Sequence, residues 1–274
     1  MTAAVAPLAV GAALLGLVVG SFLNVVAHRL PRGLSLISPP SACPQCGHSI
    51  RPWENLPVVG YLLLGGRCRY CRQRISPTYP LTEAATAVLT ATVAAVVGPS
   101  LFLAPALLFT WWLIALTRID LDLQLLPDRL TLSLALLGLI FSLAGWWIPG
   151  LAGESGKGLG SPVESLLGIA VGYGILLGAA WAYGRATGQE GLGGGDLKLL
   201  GALGAWIGPV AALLALFLAA LLGSVVGGLM LLLRGGGRRL AIPFGPFLAF
   251  GGWVLLLWKA ELIRWYLALS GLSG

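Results

Sequence analysis

Isolated acidic side chains stand at the ends of long apolar runs, and they are the residues most able to do chemistry. One group comprises Asp120, Asp122 and Asp128, and a further aspartate, Asp196, comes much later in the chain. Carboxylates at the edge of membrane-length apolar segments are costly, so they usually have a function or a partner. We therefore expect Asp120 and Asp196 to share one catalytic site.

Two carboxylates can activate a water molecule when one is protonated and the other is ionised. Mutual repulsion and partial desolvation separate the two titration steps of such a pair. The ionised member then takes a proton from water, and the neutral member supports a carbonyl oxygen. Because the titration steps belong to the pair, we assign neither role to one aspartate.

The acids also have structural explanations that compete with a functional one. Asp196 could cap the start of a helix, and Asp128, which follows a proline, suits the first turn of one. Asp122 lies two residues from Asp120 and so faces elsewhere on a helix, where it contacts either substrate or water. Glu83, at the start of an apolar run, is either a helix-dipole residue or a substrate-binding residue.

Three glycines precede Asp196 and are candidate substrate-binding residues: Gly193, Gly194 and Gly195. Glycine lets a backbone approach a ligand closely, so we expect an extended substrate to lie beside the Asp196 carboxylate. The glycines do not complete the dinucleotide-binding pattern, and no strand–helix–strand context surrounds them, so that class of site is rejected.

All four cysteines lie in one loop as two C-x2-C pairs, Cys43 with Cys46 and Cys68 with Cys71. This spacing is close to that of zinc ribbons, in which each pair gives two thiolates to one tetrahedral metal. A structural Zn²⁺ would fold a loop that lacks an adequate core of its own. Two disulfides or four unrelated thiols are the alternatives, and a reducing compartment disfavours the first. The histidines, His28 and His48, are not needed as ligands.

The composition indicates which elements position these groups. Hydrophobic residues make up 57% and charged residues 10% of the chain, with a mean hydropathy of +0.90, whereas a soluble domain carries about 25% charged residues. Repeated apolar runs predict an all-α polytopic membrane protein with about eight transmembrane helices. The net charge of +7 is interpreted as a topology signal and not as nucleic-acid binding.

Arginines are concentrated in the cysteine loop. Residues 28–80 contain seven arginines and one acid, Glu54, so the positive-inside rule predicts that this zinc-ribbon-like insert is cytoplasmic. The first apolar run is expected to be a retained helix and not a cleaved signal. The predicted organisation is a first transmembrane helix (1–27), a cytoplasmic tetracysteine zinc-binding loop (28–79) and a membrane-embedded core (80–274).

The sequence also predicts where one helix ends and where a second apolar run is interrupted. The third helix is expected to cover about 101–117 and to end before the aspartate-rich stretch. The run 197–233 is too long for one transmembrane helix and short for two, and Gly208-Pro209 is its natural break.

These motifs together resemble those of the type IV prepilin leader peptidases, which are GxGD-type aspartyl proteases. Besides the cysteine pairs, the resemblance is carried by G-S-F-L-N-V-V-x-H-R-L-P at 20–31, Y-P-L-T-E at 79–83, I-D-x-D-x-x-L-L-P-D at 119–128, G-G-G-D-x-K at 193–198 and I-P-F-G-P-F at 242–247.

The resemblance implies a hydrolase of the bacterial inner membrane with Asp120 and Asp196 as its catalytic acids. Such a protease cuts the basic leader from type IV prepilins or type II secretion pseudopilins at the cytoplasmic face. Members with the cysteine pairs commonly also methylate the new N-terminus with S-adenosylmethionine, which is expected here by resemblance alone. The implied partners are these substrates and membrane lipid, without nucleic acid.

Two rival classes share some of these features. An intramembrane protease of the signal-peptide-peptidase type also has a GxGD aspartate, but the cysteine pairs and the first aspartate motif argue against it. A proton-coupled transporter would place its acids near the bilayer midplane in broken helices. Asp120 and Asp196 stand instead at predicted helix ends.

Overall fold

The computed structural model describes residues 2–153, 158–189, 193–234 and 242–269, and their regular secondary structure is helical. A single 3₁₀ turn, Leu30–Arg32, follows the first helix. The α-helices are α1 (Thr2–Arg29), α2 (Val59–Leu63), α3 (Thr78–Val97), α4 (Leu103–Leu123), α5 (Asp128–Trp147), α6 (Pro162–Thr187), α7 (Gly194–Arg234) and α8 (Gly245–Leu269). The prediction of an all-α polytopic protein is confirmed.

The predicted break in the longest apolar run is present in α7. Gly208 adopts φ 80° and ψ 174° inside this element and Pro209 follows it, so the helical hydrogen-bond pattern is interrupted there. Counting α7 as two segments and α8, which has a kink at Trp258, as one, the described residues form eight long helical segments. Five elements are long and apolar enough to cross a membrane: α1 with its 3₁₀ turn, α3, α5, α6 and α7.

The predicted end of the third helix is wrong. α4 continues past residue 117 to Leu123, and Gln124 then turns the chain with φ 52°. An ion pair between Arg118 and Asp122, one helical turn apart, stabilises this final turn. Asp120 and Asp122 therefore stand on the last turn of a helix and not in a connecting loop.

The chain divides into two compact units, Met1–Pro99 and Ser100–Gly274. In the first unit α1 packs closely on α3. A Cβ on Gly16 would come 2.7 Å from Cα of Ala87, and one on Gly20 would come 2.7 Å from Cα of Glu83. The later residue of α1 therefore contacts the earlier residue of α3, so the two helices are antiparallel. The small residues at these contacts allow the close approach.

The second unit is built around the buried first half of α7. α6 and α7 touch backbone to backbone at Gly168 and Gly204, where a Cβ on either residue would overlap the other's carbonyl. Trp206 is fully buried, and its indole N–H donates to the carbonyl of Leu134 on α5 over 2.7 Å. α8 packs on both α7 and α4, which brings its N-terminus to the last turn of α4.

Candidate aspartyl site and metal centre

Asp120 is held by the first residue of α8. Its side chain is on the last turn of α4 and only 5% of its surface is exposed. The backbone N–H of Gly245 donates to Asp120 Oδ2 over 3.1 Å. This amide is one of the N-terminal N–H groups that a helix leaves without an internal partner, so it is free to fix a carboxylate.

Asp196 lies in the first turn of α7 and interacts electrostatically with Asp120. It is the third residue of the helix, and its backbone N–H donates to the carbonyl of Gly193 over 3.1 Å. It therefore does not cap the helix as an N-cap residue would. The structure brings together the two aspartates that the sequence predicted to share a site.

Leu126 links the two halves of this site. It is buried, and a Cβ on Gly195 would come 2.9 Å from Cβ of Leu126. A Cβ on Gly245 would come 3.3 Å from the Leu126 Cδ2 atom. The leucine thus fills the space between the starts of α7 and α8. Leu126 and Gly245 were not among the predicted site residues, although they lie in the motifs at 119–128 and 242–247.

Asp122 and Asp128, the remaining acids of the first group, point to other partners. Asp122 pairs with Arg118 and is half exposed. Asp128 begins α5, as its position after a proline predicts, and its Oδ1 lies 2.6 Å from Nζ of Lys198. This ion pair joins the first aspartate motif to the G-G-G-D-x-K motif, so Asp128 stabilises the site's framework.

The three glycines before α7 and at its start differ in their surroundings. Gly195 is half-buried against Leu126, so packing alone requires a small residue there. Gly193 and Gly194 are exposed, and a Cβ on Gly194 would meet nothing within 4 Å. Gly193 and Gly194 therefore leave room for a chain beside Asp196, whereas Gly195 does not.

Glu83 belongs to the first unit and has its own set of partners. It is buried on α3, its Oε2 accepts from the backbone N–H of Val58 over 2.7 Å, and its side chain also hydrogen-bonds Ser21 of α1. One turn away, the amide N–H of Asn24 donates to the carbonyl of Tyr79 over 3.2 Å. Glu83 therefore ties α1, α3 and the cysteine loop to one another.

The four cysteines converge on one point. Their Sγ atoms all lie within 4.8 Å of one another, with Cys43 3.8 Å from Cys71 and Cys46 4.0 Å from Cys68. A tetrahedral metal with bonds of about 2.3 Å to sulfur places its ligands about 3.8 Å apart. These distances are too long for disulfides, and the cysteines are free thiols. The donor set fits a metal ion.

Each cysteine pair forms the same knuckle turn. The N–H of Gly47 donates to the carbonyl of Cys43 over 2.9 Å, and that of Arg72 donates to Cys68 over 3.0 Å. Gly47 and Arg72 both have positive φ, 69° and 60°. Both cysteine pairs are therefore followed by a tight turn. His48 stacks on Tyr70 and is not one of the four clustered groups.

The knuckles also change the acidity of the thiols. Backbone N–H groups of Cys46 and then Gln45 lower the pKa of Cys43 to about 7. At Cys71 the N–H of Gln73 lowers the pKa, but desolvation and the neighbouring thiols outweigh it and raise the pKa to about 11. Four thiols this close cannot all ionise without a cation, which is the condition that a bound divalent metal satisfies.

Comparison with known proteins assigns both halves of the chain. Residues 14–97 match the bacterial peptidase A24 N-terminal domain, and residues 107–228 match the type IV leader peptidase family. The chain belongs to this family. No solved structure matches it.

Curated relatives cover nearly the whole chain. A prepilin leader peptidase/N-methyltransferase from Pseudomonas aeruginosa is 44% identical over 281 residues, covering 94% of this chain and 93% of the relative. Proteins of the same name from Aeromonas salmonicida and Neisseria gonorrhoeae are 43% and 40% identical over 280 and 285 residues. Each of these two alignments covers 93% of this chain. They cover 92% of the Aeromonas salmonicida protein and 93% of the Neisseria gonorrhoeae protein.

Proposed function

We propose that this protein cleaves the leader peptide of type IV prepilins or pseudopilins by activating water between Asp120 and Asp196. The proximity of these two acids, each at the end of a different helix, is the observation that carries the proposal. The names of the relatives supply the substrate class. The names of these relatives do not favour the two alternative functions, an intramembrane protease of the signal-peptide-peptidase type and a proton-coupled transporter.

In the proposed mechanism the two carboxylates share one proton. The ionised aspartate removes a proton from water as the oxygen attacks the scissile carbonyl, and the protonated aspartate donates to the developing oxyanion. The Gly245 N–H keeps Asp120 in place. The proton then passes to the leaving amine, and the pair returns to its shared state. Gly193 and Gly194 give the extended substrate backbone room beside Asp196.

The second proposed activity is methylation of the new N-terminal amine. Its support is the N-methyltransferase part of the relatives' name. S-adenosylmethionine would supply the methyl group, and this half of the proposal is independent of the aspartate geometry.

The metal proposed for the cysteine centre is Zn²⁺. It would be held by Cys43, Cys46, Cys68 and Cys71, all thiolates, which is a donor set typical of closed structural zinc sites. A metal with four protein ligands keeps no open position for substrate, so its role would be to fold the loop.

We place the active site and the cysteine loop at the cytoplasmic face of the bacterial inner membrane. The support is the distribution of charge, because residues 28–80 carry seven arginines and one acid.

Mass spectrometry of a purified reaction tests the proposal. The full chain, reconstituted in lipid, is incubated with a prepilin and S-adenosylmethionine. We expect release of the leader and a mature pilin that is 14 Da heavier than the unmethylated product, from the replacement of one hydrogen by a methyl group. An intact prepilin with the wild-type chain, or equal cleavage by Asp196→Asn, would refute the catalytic assignment.

A further inference from the structure

The short helix α2 carries an apolar stripe on its exposed side. Val59, Leu62 and Leu63 are spaced i, i+3 and i+4, which places them on one face. Leu62 and Leu63 are 69% and 77% exposed. On the other side of the helix Gly60 is buried, because the backbone carbonyl of Glu54 lies where its side chain would be. α2 thus packs on the loop with one face and leaves three aliphatic side chains uncovered within its unit.

Two residues before α2 extend the stripe. Leu56 and Trp53 are both exposed, and the Arg51 guanidinium lies over the Trp53 ring at 5.4 Å from its centroid. We name Trp53, Leu56, Val59, Leu62 and Leu63 the α2 face. A tryptophan beside an arginine at the edge of an aliphatic patch is the combination found at membrane–water interfaces.

The α2 face is tied to the end of a membrane hairpin. α1 and α3 are antiparallel and both are candidate spans, so the loop between them begins and ends at the same end of the pair. Val58, the residue before α2, donates its N–H to Glu83. Glu83 is more than one helical turn inside α3, or about 7 Å along the axis from Thr78. α2 therefore starts at the depth of the first turns of α3 and not far out in solvent.

Exposed positive charge surrounds this face. Within the cysteine loop the exposed arginines are Arg32, Arg51, Arg67, Arg69, Arg72 and Arg74. The loop's single acid, Glu54, lies 3.5 Å from Arg69. An aliphatic stripe with an excess of arginine is complementary to a bilayer surface that contains anionic headgroups.

We propose that the α2 face lies in the headgroup region of the bilayer and binds anionic phospholipid. The aliphatic side chains would enter the boundary between headgroups and acyl chains, and the arginines would contact lipid phosphates. This assignment is independent of the aspartyl mechanism and of methyl transfer.

Photocrosslinking in the membrane tests the proposal. A benzophenone amino acid replaces Leu63 in the full chain, which is reconstituted in vesicles of phosphatidylethanolamine and phosphatidylglycerol. The same residue at Gln45, an exposed polar position on the first knuckle, is the matched control. We expect the Leu63 peptide to gain the mass of a phospholipid at least threefold more often than the Gln45 peptide. Capture mainly of another part of the chain, or of a second copy, would overturn the proposal.

Charge dependence is tested in the same vesicles. The double variant Arg67→Gln, Arg74→Gln should lower the yield of phosphatidylglycerol adducts at Leu63, and high salt should lower it in the unsubstituted chain as well. An unchanged zinc content shows that the variant loop is folded. Equal capture of phosphatidylglycerol with and without the two arginines would contradict the anionic preference and leave only apolar insertion.

Discussion

The first backbone amide of α8 touches the carboxylate of Asp120, because Gly245 N–H donates to Oδ2 over 3.1 Å. The contact depends on the absence of a side chain. A Cβ on Gly245 would lie 2.5 Å from the same oxygen and 3.3 Å from Leu126. Glycine at this position therefore sets the distance between the start of α8 and the end of α4, and with it the location of one proposed catalytic acid.

Replacing Gly245 by alanine should displace Asp120 without unfolding the protein. Since misplacement of a reacting group by about 1 Å can cost a hundredfold in rate, we expect prepilin cleavage to fall at least tenfold. Gly174→Ala on α6 is the matched control, because a Cβ there would meet nothing within 4 Å. Initial cleavage rates of both variants in lipid measure the effect. Equal rates would show that the Gly245 contact does not position Asp120.

The aspartate pair makes a sharper prediction. Asp120→Asn and Asp196→Asn should each abolish cleavage, because an amide can neither take a proton from water nor share one with its partner. Asp128→Asn should retain most of the activity, since Asp128 pairs with Lys198 on an exposed part of the site's framework. Cleavage is measured alongside thermal unfolding of each variant. A severe loss in Asp128→Asn with normal stability would move Asp128 into the chemistry.

The helices were predictable because lipid imposes a simple rule on the sequence. Every backbone group must be satisfied within its own segment, so apolar runs and their glycine or proline breaks mark the elements. Gly208-Pro209 was recognised in this way. The end of α4 was not, because charged residues at 118, 120 and 122 resembled a loop. Arg118 and Asp122 in fact pair along the helix, which continues to Leu123, more than one turn beyond the predicted end.

The closeness of the two aspartates and of the four thiols was predictable from the sequence, but the packing around them was not. Asp120 and Asp196 were exceptional for their type and surroundings, and the cysteines for their spacing. Leu126 is an ordinary leucine in an apolar chain, and only tertiary structure places it between Gly195 and Gly245. Likewise nothing local to Glu83 indicates that its partner is the Val58 N–H, 25 residues earlier.

The cysteine centre should bind about one zinc ion per chain and release it in acid. Replacing any one of the four cysteines with serine should release the metal and loosen the loop, because structural zinc contributes roughly 10 kcal/mol or more to such modules. Metal analysis and limited proteolysis of fresh protein measure both effects. Ser49→Ala, next to the first knuckle but outside the four sulfurs, is the control. Fresh protein without zinc would refute the assignment.

The direction of the pH effect follows from the ligand chemistry. Thiols bind zinc as thiolates, so protons compete with the metal, and affinity should fall steadily as the pH is lowered from 8 to 5. Cys43, with a pKa lowered to about 7, should be the first thiol to ionise in the metal-free loop. Titration with a colorimetric zinc indicator at each pH measures the affinity. An affinity that is independent of pH would exclude thiolate ligation.

Glu83 should act as a positioning residue that holds the start of α2 against the hairpin. Its carboxylate accepts from the Val58 N–H over 2.7 Å and also hydrogen-bonds Ser21. Glu83→Gln keeps an acceptor oxygen for Val58, whereas Glu83→Leu keeps the bulk and leaves a part-buried N–H without a partner, at a cost of about 1 kcal/mol. Hydrogen exchange at residues 56–64 should therefore be near normal in Glu83→Gln and at least fivefold faster in Glu83→Leu.

Thr92→Val, on the same helix and away from the loop, is the control, and its exchange in this segment should match the wild type. Equal exchange in Glu83→Leu and the wild type would show that other contacts hold α2. An effect as large in Glu83→Gln as in Glu83→Leu would point to the charge, which both variants lose, as the requirement.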